Sequence, residues 1–231
     1  MRSDDALAAR VAADIPDGSY VNLGIGLPQL IADMVPSDRE VMFHSENGVL
    51  GIGAAAAPGQ EDWECVDAGK RAITVRPGGS FFHHADSFSM IRGGHLDIAV
   101  LGAYEVSATG DLANWWTGSP DAIPGVGGAM DLVTGAKMVY VIMHHATKDG
   151  SPRMRERCRF PLTARGVVSR VYTDLCVAEP RGDHFEILEL APGVTPEQVC
   201  ALTEGELRFP EGKGRSPERP FASGGPPGHQ R

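Results

Sequence analysis

Ser45-Glu46-Asn47-Gly48-Val49-Leu50-Gly51-Ile52-Gly53 follows an apolar run that ends at His44. A carboxylate just past a strand stands where open α/β sheets bind ligands, and glycines at 48, 51 and 53 permit close backbone approach there. Glu46 therefore stands where a side chain that meets a ligand is expected. The same spacing fits a carboxylate that caps the next turn or pairs with an arginine. Two further turns offer backbone donors. Asn22-Leu23-Gly24-Ile25-Gly26-Leu27-Pro28 reads as a strand end, a G-x-G turn and a proline-started helix. The third glycine of a dinucleotide fingerprint would fall at position 29, where Gln29 stands, so this is a ligand turn without a nicotinamide signature. Gly125-Val126-Gly127-Gly128-Ala129 precedes an apolar segment. It presents either an oxyanion or phosphate nest or a tight entry into a helix.

Other groups of residues carry weaker chemical signals. Lys70, Arg71, Arg76 and Arg92 concentrate positive charge in an acidic chain, which suits phosphates or simple solvation. The doublets His83-His84 and His144-His145 invite a metal, but neighbours on a strand point to opposite faces and no H-E-x-x-H spacing accompanies them, so no metal site is expected. Arg153, Arg155, Arg157 and Arg159 alternate, which predicts one face of a strand used as a protected edge or a subunit contact. Cys65, Cys158, Cys176 and Cys200 form no CxxC pair and read as reduced thiols of a cytoplasmic protein.

These residues need a frame. Leu7, Val11 and Ile15 recur at helical spacing and predict an amphipathic helix over 4–15. Apolar runs at Tyr20–Leu23, Val41–His44, Ile73–Val75, Leu96–Gly102 and Met138–Met143 predict strands, several of them apolar on both faces, as in a sheet covered on both sides. Helices are expected between them at Pro28–Met34, Asp86–Ile91 and Ala129–Ala136. The alternation defines an α/β protein with a mixed, largely parallel sheet covered by helices. Further strands are expected at Met154–Phe160, Val167–Thr173, Leu175–Glu179 and His184–Leu190, the last two joined by a hairpin about Arg181-Gly182-Asp183. Thr195-Pro196-Glu197-Gln198 is a capping box that opens a last helix. Residues 1–204 read as one domain, and 205–231, with six glycines and five prolines, as a disordered tail.

Composition excludes several classes. At 231 residues with a net charge of −9, the chain is a poor candidate for binding nucleic acid. Its 42% hydrophobic content is too high for disorder, yet no run approaches the roughly 18 consecutive apolar residues of a membrane helix. The acidic start lacks the apolar core of a signal peptide.

Taken together, NLGIGLP (22–28), HSENGVLGIG (44–53), DAGK (67–70), ADSFSMIRGGHLDIAVLGA (85–103), LANW (112–115), VGGAMDLVTGAK (126–137), PLT (161–163) and ELAPGVT (189–195) resemble the β subunits of family I CoA-transferases acting on 3-oxoacids. The resemblance runs over residues 5–204 and implies the CoA-transferase α/β fold, which sugar-phosphate isomerases share. It implies that Glu46 is a nucleophile that takes CoA from succinyl-CoA as a glutamyl thioester and passes it to a 3-oxoacid in a ping-pong cycle. It further implies that Asn22, Gly127 and Gly128 are oxyanion or substrate donors and that Lys70 meets the CoA or the carboxylate substrate. No cofactor is implied beyond the CoA esters, which are substrates. The expected partner is a CoA-transferase α subunit, in a heterodimer or heterotetramer. Phe81–Asp86, Ala113–Gly118 and Arg170–Leu175 point within the family to 3-oxoadipate as acceptor, in the β-ketoadipate route of aromatic breakdown, with acetoacetate as the alternative. A non-catalytic sensor of acyl-CoA or sugar phosphate on the same fold would have no need of Glu46.

Overall fold

The computed structural model describes residues 1–210. In chain order the elements are α1 (Asp4–Asp14), β1 (Tyr20–Leu23), a 3₁₀ turn (Leu27–Leu30) running into α2 (Ile31–Met34), β2 (Met42–Ser45), β3 (Val49–Ala55), β4 (Ile73–Phe81), α3 (His84–Arg92), β5 (Ile98–Leu101), β6 (Glu105–Ser107), β7 (Leu112–Ala113), α4 (Ala129–Gly135), β8 (Met138–Met143), β9 (Met154–Arg155), β10 (Arg170–Thr173), β11 (Cys176–Pro180), β12 (His184–Leu190), α5 (Pro196–Ala201) and β13 (Glu206–Arg208). Ten strands make one sheet in the order β13-β12-β11-β10-β8-β5-β1-β2-β3-β4. The five middle strands, β10 to β2, run parallel. Antiparallel pairs extend the sheet at both ends, through β11 and β12 on one side and β3 and β4 on the other.

The central strands β5 and β8 read as continuous apolar runs because each feeds two cores. On β8, Val139, Val141 and Met143 face one core while Tyr140 and Ile142 face the other. On β5, Ala99 and Leu101 separate from Ile98 and Val100 in the same way. Leu7 and Val11 of α1, Ile15 at its C-cap and Ile31 at the start of α2 cover one face. Ile91 of α3, Leu132 and Val133 of α4, Val199 of α5 and the small sheet β7-β6-β9 cover the opposite face. The capping box of α5 forms as the sequence predicts, Thr195 Oγ1 accepting from the Gln198 amide and Gln198 Oε1 accepting from the Thr195 amide at 2.9 Å.

Three expectations are corrected. Gly51 and Gly53 do not line a ligand turn but lie inside β3, where an added Cβ would come within 2.8 Å of Gly79 Cα and 2.5 Å of Thr74 Oγ1 on β4. They let two strands pack closely. The alternating arginines do not share a strand face. Only Met154 and Arg155 are in a strand, because the chain then turns around the Glu105 carboxylate, which accepts from the Arg159 amide at 2.6 Å and the Phe160 amide at 3.2 Å. Arg155 is buried against Glu105 and Glu204, whereas Arg157 and Arg159 are exposed. Finally, the sheet continues past residue 204: Glu206–Arg208 pairs in parallel with β12. The rest of the expected tail, 211–231, lies outside the described residues.

Candidate active site

Glu46 follows β2 at the carboxyl edge of the parallel strands, next to the position where the sheet order turns back, with β2 on one side of β1 and β5 on the other. A turn of three residues, Glu46 to Gly48, joins Ser45 to its cross-strand partner Val49. Gly48 closes it by donating to the Ser45 carbonyl at 3.0 Å. Its φ of 108° and the 2.1 Å that would separate an added Cβ from the Phe82 carbonyl oxygen both require glycine. Ser45 Oγ accepts from the Ala68 amide at 2.9 Å and Asn47 Nδ2 donates to the Val66 carbonyl at 2.8 Å, so the Asp67–Lys70 turn is tied alongside.

Opposite the carboxylate, α4 begins. Its N-cap is Gly128, where a Cβ would lie 2.2 Å from Glu46 Oε2 and 3.0 Å from Phe88 Cζ. The carboxylate thus rests directly on the Gly128 backbone. Gly127 has φ 50°, and among the described residues neither Gly127 nor Gly128 spends its amide N–H on an internal acceptor. Burial raises the Glu46 carboxyl above its ordinary range; His84 opposes the rise and Asp131 adds to it. A half-buried carboxylate of raised basicity beside unspent amide donors is suited to attack a carbonyl carbon and to hold the oxyanion that follows.

Beneath the turn runs a buried polar chain. Asn22 Nδ2 lies 3.0 Å from His44 Nδ1 and 3.3 Å from the His44 carbonyl, and His44 Nε2 lies 2.9 Å from Ser87 Oγ, which donates to the Ser45 carbonyl at 3.3 Å. The amide nitrogen of Asn22 can only donate, so His44 Nδ1 accepts and its proton sits on Nε2, donated to Ser87. Burial pushes the His44 pKa down to about 4 and keeps the ring neutral. This chain anchors the backbone from which Glu46 projects.

The five residues singled out from the sequence are placed unequally. Glu46 and Gly128 touch, and Gly127 adjoins them. Asn22 is buried one strand away with its amide nitrogen committed to His44. Lys70 is exposed on the neighbouring turn, the one non-glycine residue among those described with positive φ, at 63°. That turn is organised by Asp67, which accepts from the amides of Gly69 and Arg71 and from Gln29 Nε2 at 2.7 Å. Gln29, standing where a third glycine would be, also accepts from the Gly26 amide at 2.9 Å and so ties the G-x-G turn to the Lys70 turn. Most of the basic cluster is spent internally: Arg71 on Asp33, Arg76 on the Val41 carbonyl, Arg92 on Asp131. His83 caps α3 by accepting from the Ala85 amide, and His145 is buried between Thr173 and Thr203. Sequence reasoning missed His84, Phe88 and Asp131 as neighbours of Glu46. The i, i+4, i+8 spacing of His84, Phe88 and Arg92 was the available signal.

The chain belongs to the coenzyme A transferase family, whose model matches residues 5–202. It is 53% identical over 203 residues to the β subunit of 3-oxoadipate CoA-transferase from Acinetobacter baylyi, covering 88% of this chain and 94% of that one. It is 52% identical over 203 residues to the β subunit of succinyl-CoA:3-ketoacid coenzyme A transferase from Helicobacter pylori, covering 88% and 97%. Among solved structures, the apoenzyme of acyl-CoA transferase YdiF from Escherichia coli O157:H7 superposes with a TM-score of 0.70 over 90% of this chain and 42% of that one; at 17% identity this likeness speaks for the fold. The protein is thus a family I CoA-transferase β subunit, an enzyme subunit.

Proposed function

We propose that this subunit supplies the nucleophile for moving CoA from succinyl-CoA to 3-oxoadipate. A Glu46 oxygen adds to the thioester carbonyl, the C–S bond breaks and CoA leaves as thiolate with the electron pair, giving a mixed anhydride. The thiolate then adds to the glutamyl carbonyl, the anhydride C–O bond breaks, succinate departs and a glutamyl-CoA thioester remains. The acceptor carboxylate repeats both steps in reverse order and leaves as its CoA ester, restoring Glu46. Atoms balance without redox change, and the CoA esters are substrates, with no other cofactor called upon. The amides of Gly127 and Gly128 stabilise each tetrahedral oxyanion, Asn22 positions the strand ends, and Lys70 meets the anionic substrates. The contact between Glu46 Oε2 and the Gly128 backbone carries this reading.

An α subunit completes the site. The anhydride must be kept from water, yet Glu46 is only half buried, and exposed apolar side chains flank the Gly128 it touches, Val126 (36%) and Met130 (44%). The four cysteines are free, which suits a cytoplasmic location, and no described helix is long and apolar enough to cross a membrane. The test is trapping. The protein assembled with its α partner is mixed with succinyl-CoA without acceptor and digested for peptide mass spectrometry. CoA on the Glu46 peptide, discharged by 3-oxoadipate with formation of 3-oxoadipyl-CoA, is the expected result. No adduct from a correctly assembled complex removes Glu46 as the nucleophile, and discharge by acetoacetate alone changes the acceptor.

A further inference from the structure

His84 stands beside the nucleophile and has no task in the chemistry above. It opens α3, its ring is exposed, and among the described residues its nitrogens make neither hydrogen bond nor ion pair. The ring lies tilted against Phe88, 4.9 Å between centroids, and Phe88 Cζ converges with the Glu46 carboxylate on Gly128. The Glu46 turn is packed against the strand end that leads into His84: an added Cβ at Gly48 would lie 2.1 Å from the Phe82 carbonyl oxygen and 3.6 Å from the His84 amide nitrogen. On the other side of Phe88, Arg92 lies over the ring at 5.5 Å but is bound in a two-point ion pair to Asp131, at 2.7 and 3.3 Å. Of the two groups that act electrostatically on Glu46, Asp131 is therefore already matched by a cation, and His84 is left unmatched.

The reaction gives this arrangement a use. Once Glu46 is esterified to CoA it has lost its charge, and the next molecule to enter is an anion that must place one carboxylate at the glutamyl carbonyl. A 3-oxo monocarboxylic acid brings only that group. A 3-oxo dicarboxylic acid brings a second carboxylate, which needs a donor at the rim of the site. We infer that His84 is a specificity-determining residue that receives the distal carboxylate of a dicarboxylic 3-oxoacid, with Phe88 holding the imidazole in place. The inference rests on the covalent role proposed for Glu46 and deepens that reading by naming the residue that distinguishes a dicarboxylic acceptor from a monocarboxylic one.

The test uses the ping-pong form of the kinetics, in which kcat/KM for the acceptor reports only its reaction with the glutamyl-CoA enzyme. The complex with the α partner is assayed with 3-oxoadipate and with acetoacetate, as wild type, His84→Ala and His84→Lys. A charge-assisted hydrogen bond to a carboxylate corresponds to about 10- to 100-fold. The ratio of kcat/KM for the dicarboxylic over the monocarboxylic acid is expected to fall at least about tenfold in His84→Ala, through KM, and to recover most of that loss in His84→Lys. A ratio that stays within about twofold in His84→Ala overturns the inference, as does an equal loss for both acids or a wild type that uses acetoacetate and not 3-oxoadipate. The two claims fail separately. No CoA on Glu46 in the wild type defeats the nucleophile itself, whereas an adduct that forms normally with an unchanged ratio defeats only the role of His84.

Discussion

Replacing Gly128 with alanine tests the contact at the centre of the site. The residue has φ −85°, so alanine meets no backbone strain, and the substitution keeps the amide N–H in place. What changes is one methyl group, 2.2 Å from Glu46 Oε2 where ordinary contact begins at 3.4 Å, so the carboxylate must retreat by about 1.2 Å. The Glu46 oxygens are the free end of a flexible side chain and can move at little cost to the fold, but not without leaving the position proposed for attack. A misplacement of about 1 Å costs about 100-fold in rate, or about 2.7 kcal/mol of barrier. Gly128→Ala in the assembled complex is therefore expected to form the glutamyl-CoA adduct about 100 times more slowly in a rapid-quench assay. Its urea unfolding should stay within about 1 kcal/mol of wild type. A rate within about threefold of wild type would refute the reasoning, since the methyl group would then have been accommodated without disturbing the proposed attack by Glu46. A loss of several kcal/mol in stability would also count against it, by showing that the clash is borne by the fold.

Two other expectations concern stability. His44 and His145 are both held near pKa 4 by burial, below the usual value of 6.5, so their contribution is complete above about pH 6.5 and is lost as pH falls towards 4, by about 3 kcal/mol each. Urea unfolding at pH 7 and pH 4.5 should show an acid loss about 2–3 kcal/mol smaller in His145→Asn than in wild type, and an equal loss in both would contradict the assignment. Arg155→Ala leaves the buried Glu105 carboxylate with only the Arg159 and Phe160 amides, which predicts a loss of about 3–5 kcal/mol. In a thermal melt this is a drop of about 6 °C or more, and the double change Glu105→Leu/Arg155→Met should regain much of it; a melt unchanged by Arg155→Ala would show the pair to be inert.

The parallel core was legible because its signals are local. The apolar runs of β5 and β8 are continuous, Leu7, Val11 and Ile15 recur along α1 and its C-cap, and α5 announces itself at Thr195. Glycine misled where it served strand packing: Gly51 and Gly53 resemble a ligand turn until Gly79 and Thr74 are seen against them, and those partners are more than 20 residues away in sequence. The small sheet of β6, β7 and β9 has strands of two or three residues, too short to carry a period. In the site, Glu46 stood out by its place after a strand, but His44 and Ser87 are 43 residues apart and nothing in either neighbourhood foretells their hydrogen bond. Contacts made by tertiary folding leave no periodic trace.

Because Ser45 and Val49 are paired across β2 and β3, the three residues between them have no slack. An extra residue there would bulge Glu46 out of its seat or slip β3 by one position and turn Val49 and Ile52 out of the core. The stretch from Gly118 to Pro124 is largely exposed, with Ile123 94% accessible, and can lengthen or shorten without touching a ladder. Descent with modification in this protein is therefore channelled: insertions and deletions can remodel this exposed stretch, while the Glu46 turn can change only by substitution and must keep its length.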